Sequence, residues 1–160
     1  MILEHSGKLL EYPDNPFSEE ALIMRAEVQF NKVQFADALA SYKMLKEKAT
    51  TAERRLLAET GMLRAAYLLK DDTETIHAAT ALLSEAKLSP ELKNEALYYR
   101  AKAYLNQKAD KAAMGDLKEL AKDTRNLYGA EAKFLVAQEL YNSQTVSYTH
   151  LRAHETAANL

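Results

Sequence analysis

The strongest constraint on this chain is that it repeats itself. "EALIMRAEVQFN" at residues 20 to 31 and "EALYYRAKAYLN" at 95 to 106 share Glu, Ala, Leu, Arg, Ala and Asn in register. A further copy lies midway, "LLAETGMLRAAYLL" from residue 56, and a fourth opens at "GAEAKFLVAQELYN" from 129. The column Ala21, Ala58, Ala96, Ala132 advances in steps of 37, 38 and 36, and Phe30, Tyr67, Leu105, Tyr141 advances in the same three. Between these copies runs a small-residue column, Ala38, Thr75 and Ala113. Leu39, Ile76 and Met114, then Leu45, Leu82 and Leu120, form large apolar ones. A period of this length means stacked supersecondary units, because a single unit cannot bury its own apolar face.

Within each period the apolar spacing is helical: Leu22, Ala26 and Phe30, then Phe35, Leu39, Tyr42 and Leu45. Each unit therefore reads as two helices joined by a short turn. Four Gly and three Pro in 160 residues supply little material for hairpin turns, while Ala, Leu, Glu and Lys lose little rotamer freedom in a helix. The expected class is all-α. Local chemistry marks the boundaries. Ser18 can cap the first helix, Ser89-Pro90-Glu91 reads as cap, first helical position and dipole-favoured acid, and Asp71-Asp72-Thr73 breaks the second pair. The small columns fall where helices cross closely, so Ala38→Phe should cost about 1–3 kcal/mol through overpacking. Units are expected at about 18–50, 51–89 and 90–125, with the first helix of a fourth at 127–142.

These residues resemble the tetratricopeptide repeat (TPR) family, whose unit of about 34 residues is a helix-turn-helix with small residues near its eighth and twentieth positions. Those positions hold Ala26, Leu63, Ala101 and Ala137, then Ala38, Thr75 and Ala113. The family's early aromatic is missing, and Val33, Lys70 and Lys108 stand where its turn glycine falls. The resemblance spans about residues 8 to 142 and implies a right-handed α-solenoid of helical hairpins. The opening "GKLLEYPDNPFSEEAL" is similar to the junction between units in bacterial cell-envelope repeat proteins of the Tol-Pal coordinator and outer-membrane assembly lipoprotein kind. Pro13 and Pro16 enforce the break there. Residues 1–17 then read as the second helix of a preceding unit plus its turn. A chain that begins and ends in half units is expected to be a piece of a longer scaffold, and its parent an envelope-associated protein.

The resemblance also implies a protein-binding groove lined by the first helices. Its positions fall on Ile23, Glu27, Phe30 and Asn31; Thr60, Arg64, Tyr67 and Leu68; Tyr98, Lys102, Leu105 and Asn106; and Phe134, Gln138, Tyr141 and Asn142. Aromatics alternate with polar groups, a mixture suited to a peptide or partner helix. Each of Phe30, Tyr67 and Tyr141 fits packing between units equally well. Lys102 and Asn106 match part of the basic clamp of chaperone-binding relatives, but Glu27 stands where that clamp needs a base. Arg25 and Arg100 share a column, and pairing with an acid on a neighbouring helix accounts for them better than a grip on an anionic partner.

No catalytic constellation emerges. Glu19 with Glu20, and Asp71 and Asp72 with Glu74, sit at helix starts where the macrodipole favours acids. His5 and His77 are isolated, there is no cysteine, and no phosphate loop or nucleophile-base pair is present. The net charge of -2, with Lys and Arg scattered among acids, argues against a nucleic-acid face. No stretch approaches the ~20 apolar residues of a spanning helix, so no direct membrane insertion is expected, nor any cofactor. The expectation is a non-catalytic protein-binding module, with a purely structural spacer or oligomerisation segment as the alternative.

The closing "TVSYTHLRAHETAANL" places His150 and His154 one helical turn apart, as a zinc site could. Two ligands are too few, and Leu151 stands where the zincin pattern puts its Glu. Val146 through Thr156, followed after a gap by Asn159 and Leu160, resembles the in-frame translation of a transposon-based sequencing adapter. Residues 143–160 are accordingly expected to be a non-native tail without a packing role, and the repeat register is expected to stop at Asn142.

Overall fold

The computed structural model describes residues 17–158, with side chains described as far as Asn142. The described chain is all-helical: α1 Ser18–Asn31, α2 Phe35–Lys48, α3 Ala52–Leu69, α4 Asp72–Leu83, α5 Pro90–Asn106, α6 Asp110–Leu120 and α7 Leu127–Ala158. No strand occurs among the described residues. The helix expected at residues 1–17 falls, apart from Phe17, outside them. Each helix packs on the one before and the one after it in the chain, and α5 also meets α3 and α7.

The turns between α1 and α2, α3 and α4, and α5 and α6 are copies of one another. Val33, Lys70 and Lys108 adopt φ of 62°, 61° and 59°, and they are the non-glycine residues with positive φ among those described. Around each, the following residue's N–H donates to a carbonyl five positions back: Gln34 to Gln29 at 2.9 Å, Asp71 to Ala66 at 3.0 Å, Ala109 to Tyr104 at 2.9 Å. The left-handed residue itself donates to Phe30, Tyr67 or Leu105. This pair of bonds is the Schellman helix ending, which satisfies carbonyls the helix leaves unpaired. The three sites are 37 and 38 apart, so the sequence period and the backbone geometry agree.

Helix starts follow their caps in part. Thr51, Asp71 and Ser89 accept from the amides of Arg54, Glu74 and Leu92, and Pro90 opens α5. Ser18 does not cap: Phe17 is the flanking residue and makes no side-chain cap, while Ser18 is buried in the first turn. The acids beside it are held from another helix. Arg54 on α3 donates to Glu19 at 2.8 Å and also binds Glu20, and the Thr50 amide lies 3.4 Å from Glu19. Burial alone would raise the Glu19 pKa, but Thr50 and Arg54 outweigh it and hold the carboxyl below the usual range.

The core runs through the small and large columns. One cluster joins Leu22, Ala26, Ala38, Leu45, Leu63, Ala66, Ala79 and Leu82; a second joins Leu97, Ala101, Leu117, Leu120 and Ala132. Tyr99 and Leu83 pack against both. Ring and space are exchanged between units. Tyr42 lies against Gly61, where an added Cβ would sit 2.5 Å from the ring. One unit on, the same two columns hold Ala79 and Tyr99, and then Leu117 and Leu135.

α7 departs from expectation by running past Asn142 to Ala158. Residues 143–158 contain no Gly or Pro, so nothing in them ends a helix already begun. Ala137 is exposed although its column mates Ala26, Leu63 and Ala101 are fully buried, because no following helix among the described residues covers α7.

Candidate partner-binding face

The first helices α1, α3, α5 and α7 carry the positions expected to bind, and the three intervals between them differ in how tightly they are closed. Between α3 and α5 an ion pair and a ring stack bridge the interval. Arg64 holds Glu95 through two bonds, Nε to Oε1 at 2.7 Å and Nη2 to Oε2 at 2.8 Å. Tyr67 stacks on Tyr99 with ring centroids 4.0 Å apart and planes 11° from parallel. The Glu95 hydrogen bonds raise the Arg64 pKa against the opposing effect of burial, so the guanidinium stays charged. Burial first, then neighbouring acids, raises the Tyr67 and Tyr99 pKa values, that of Tyr99 well beyond tyrosine's ordinary range.

Between α5 and α7 the tie is Tyr98, whose hydroxyl donates to Glu131 at 2.5 Å while its ring lies 5.1 Å from that of Tyr128. Burial and this bond to a carboxylate push the Tyr98 pKa far up, since ionisation would place two negative oxygens together. Tyr98 is 8% exposed. Its assignment to an open binding face is therefore corrected: it is a packing residue, pulled inward by Tyr128 and Glu131. Tyr67 likewise spends one ring face on Tyr99. Asn106 donates to Asp72 at 2.9 Å, and beside it Gln107 donates to Thr73, so this end of α5 ties two turns together.

The interval between α1 and α3 is the open one. These helices approach less closely than α3 and α5 do, and among the described residues Arg54 bridges them at their N-terminal ends. Farther along lies a cavity of about 290 Å³ lined by Glu27, Phe30 and Tyr42 on one side and Leu57, Thr60, Gly61 and Arg64 on the other. The sequence had placed Glu27, Phe30, Thr60 and Arg64 on this face. Tyr42, Leu57 and Gly61 were missed, yet two carry a signal. Gly61 interrupts a helix interior, and Leu57 breaks a column that otherwise reads Glu20, Glu95 and Glu131.

The remaining expected positions scatter. Ile23 packs partly against the first core cluster and Leu105 against the second. Asn31, Leu68 and Gln138 are exposed and Lys102 is half-buried, while Phe134 and Tyr141 on α7 are each 67% exposed. Arg100 pairs with Asp116 on α6 through Nε at 2.8 Å and Nη2 at 2.7 Å, as the ion-pair reading required. Arg25 has no equivalent tie, and its Nε is buried without a hydrogen-bond partner among the described residues.

A second hollow, about 600 Å³, lies among α2, α3 and α4. Four of its charged side chains are paired, Lys43 with Glu74 at 2.9 Å and Lys46 with Glu59 at 2.8 Å. Glu59 is 5% exposed, occupies the column of Leu22 and Leu97, and keeps one carboxylate oxygen without a partner among the described residues. Beside it and His77 is a recess of about 10 Å³, the size of one water.

Among the described residues no group of three His, Asp or Glu side chains is placed to hold a metal ion. No described helix is long and apolar enough to cross a membrane. The side chains of His150 and His154 lie outside the described set. Comparison with protein families, curated proteins and solved structures gives no match.

Proposed function

We infer that this chain is a TPR-like right-handed α-solenoid that binds other proteins, without chemistry of its own, by taking an extended peptide or partner helix along the face of its first helices. One observation carries most weight. Of the three intervals between first helices, two are bridged along this face by the chain's own side chains, and the third holds a partly apolar cavity with a charged rim. Pockets of a few hundred Å³ with a small number of placed polar groups are the usual form of a binding site. The three matching turns support the repeat reading, and exposed Phe134 and Gln138 extend the surface beyond the cavity. On this reading the chain is an envelope scaffold of the kind its opening resembles.

Panning a random-peptide phage library against the folded chain tests this. Enriched peptides should lose binding to the face variants Glu27→Arg and Lys102→Glu, while keeping it to Lys43→Ala, which alters the other hollow. Enrichment of peptides that bind all three variants alike, or no enrichment at all, would overturn the reading in favour of a spacer.

A further inference from the structure

The open interval and the closed one beside it are built from the same columns, so each shows what the other lacks. Arg64 corresponds to Glu27 one unit earlier, and its partner Glu95 corresponds to Leu57. The ion pair that seals α3 to α5 thus has no counterpart between α1 and α3: an acid faces a leucine. Tyr67 corresponds to Phe30, and the ring stacked on it, Tyr99, corresponds to Gly61. The stack is missing as well, because glycine supplies no ring. Tyr42 uses part of the space over Gly61 and forms a wall of what is left.

What remains is a cavity of about 290 Å³, roughly twice the ~150 Å³ that admits benzene in an engineered core. Phe30 gives it an aromatic wall, braced at 5.3 Å by the edge-on ring of Phe35. The charge of the rim has a sign. Arg64 lines the cavity but is engaged by Glu95, whereas Glu27 is exposed and makes no ion pair among the described residues. The uncompensated charge is therefore negative.

We propose that this cavity receives an aromatic side chain, tyrosine or phenylalanine, from a partner peptide that carries a basic residue next to it. The ring packs on Phe30 beside the Tyr42 ring that covers Gly61, and the base pairs with Glu27 at the rim. The partner supplies from outside the two closures that the chain supplies for itself one unit later. This assignment rests on the reading of the first-helix face as a binding surface, and it names the side chains that surface selects.

The test titrates the folded chain with the peptide Ac-Ala-Tyr-Arg-Ala-NH2 at millimolar concentration and follows backbone amides by NMR. Amides of Phe30, Thr60 and Gly61 should shift together. Ac-Ala-Leu-Arg-Ala-NH2 should bind about two- to tenfold more weakly for the lost aromatic pairing, and Ac-Ala-Tyr-Glu-Ala-NH2 should bind more weakly because its acid meets Glu27. The double variant Glu27→Arg with Leu57→Glu installs the tie of the next interval and should abolish the response. Phe30→Leu, which copies Leu105, keeps an apolar wall and should weaken it, so a folded variant is available if the double substitution destabilises. Equal response to the tyrosine and leucine peptides overturns the proposal, as does silence at those three amides. Shifts confined to amides around Lys102 and Gln138 would sink this cavity while leaving the binding face intact. Silence everywhere, joined to failed panning, would remove both.

Discussion

Replacing Gly61 by alanine sets two effects of similar size against each other. In a helix interior alanine is favoured over glycine by about 1 kcal/mol, from backbone entropy alone. Against that, the new Cβ would lie 2.5 Å from the Cε1 and Cζ atoms of Tyr42 and 2.6 Å from Cδ1. Comfortable carbon contacts are about 3.5–4.0 Å, so the ring must retreat by about an ångström. Tyr42 is 7% exposed and its ring is embedded in the first core cluster, so that retreat is an overpacking cost of about 1–3 kcal/mol. Gly61→Ala should therefore range from neutral to about 2 kcal/mol destabilising. In a Tyr42→Leu background, which copies the Leu117 junction, the obstruction is gone and the same substitution should stabilise by about 1 kcal/mol. Urea unfolding of the four proteins gives the coupling between the sites, expected at about 1–3 kcal/mol. A gain of the same size in both backgrounds would falsify the claim that Tyr42 dictates glycine at 61.

Val33→Gly should stabilise by about 1 kcal/mol in the same assay, since a β-branched residue at φ 62° bears a strain that glycine does not and the side chain is 70% exposed; no gain would mean the turn is not strained. Glu59→Leu should be neutral or stabilising by about 1 kcal/mol or more, because it replaces a buried ion pair with the residue its column uses at 22 and 97; a clear loss would show that the carboxylate is structurally required. Alkaline titration tests the tyrosine cluster. The folded pKa values of Tyr98 and Tyr99 lie above the unfolded value of about 10, so their stabilising contribution is complete below that pH and is lost as pH rises through the folded values. Tyrosinate absorbance of the native protein should show a late-ionising fraction that moves to about pH 10 in urea, and a single ordinary titration would contradict the burial described.

The repeat was legible because its cause is steric: where two helices cross closely only small residues fit, so Ala38, Thr75 and Ala113 announce the crossing without any structure. The turns were legible by counting alone, for Val33 shares no chemistry with Lys70 and Lys108, and the left-handed backbone at each is fixed by hydrogen bonds from its neighbours. The binding face was only half legible. Helical spacing places Tyr98 and Phe30 on one face of the first helices but is blind to what lies across the interval. Tyr98 finds Tyr128 and Glu131 and goes inward, while Phe30 finds Gly61 and keeps a cavity beside it. The end of α7 was misplaced because the register specifies where a turn belongs, and a helix stops only where the local sequence stops it.

The exchange of ring and space between units also fixes the order in which they can be joined. Tyr42 lies against Gly61, while the same two columns hold Ala79 and Tyr99 in the first core cluster and Leu117 and Leu135 in the second, three different combinations of size. Docking the first unit onto the third would set Tyr42 against Tyr99, two rings where the folded chain keeps one. Docking the second ahead of α3 would leave Ala79 facing Gly61 across a void. Units so alike in sequence are at risk of skipping a neighbour during folding, or of pairing with a unit from another copy of the chain. Differently shaped junctions make each helical hairpin a poor fit for every neighbour but its own.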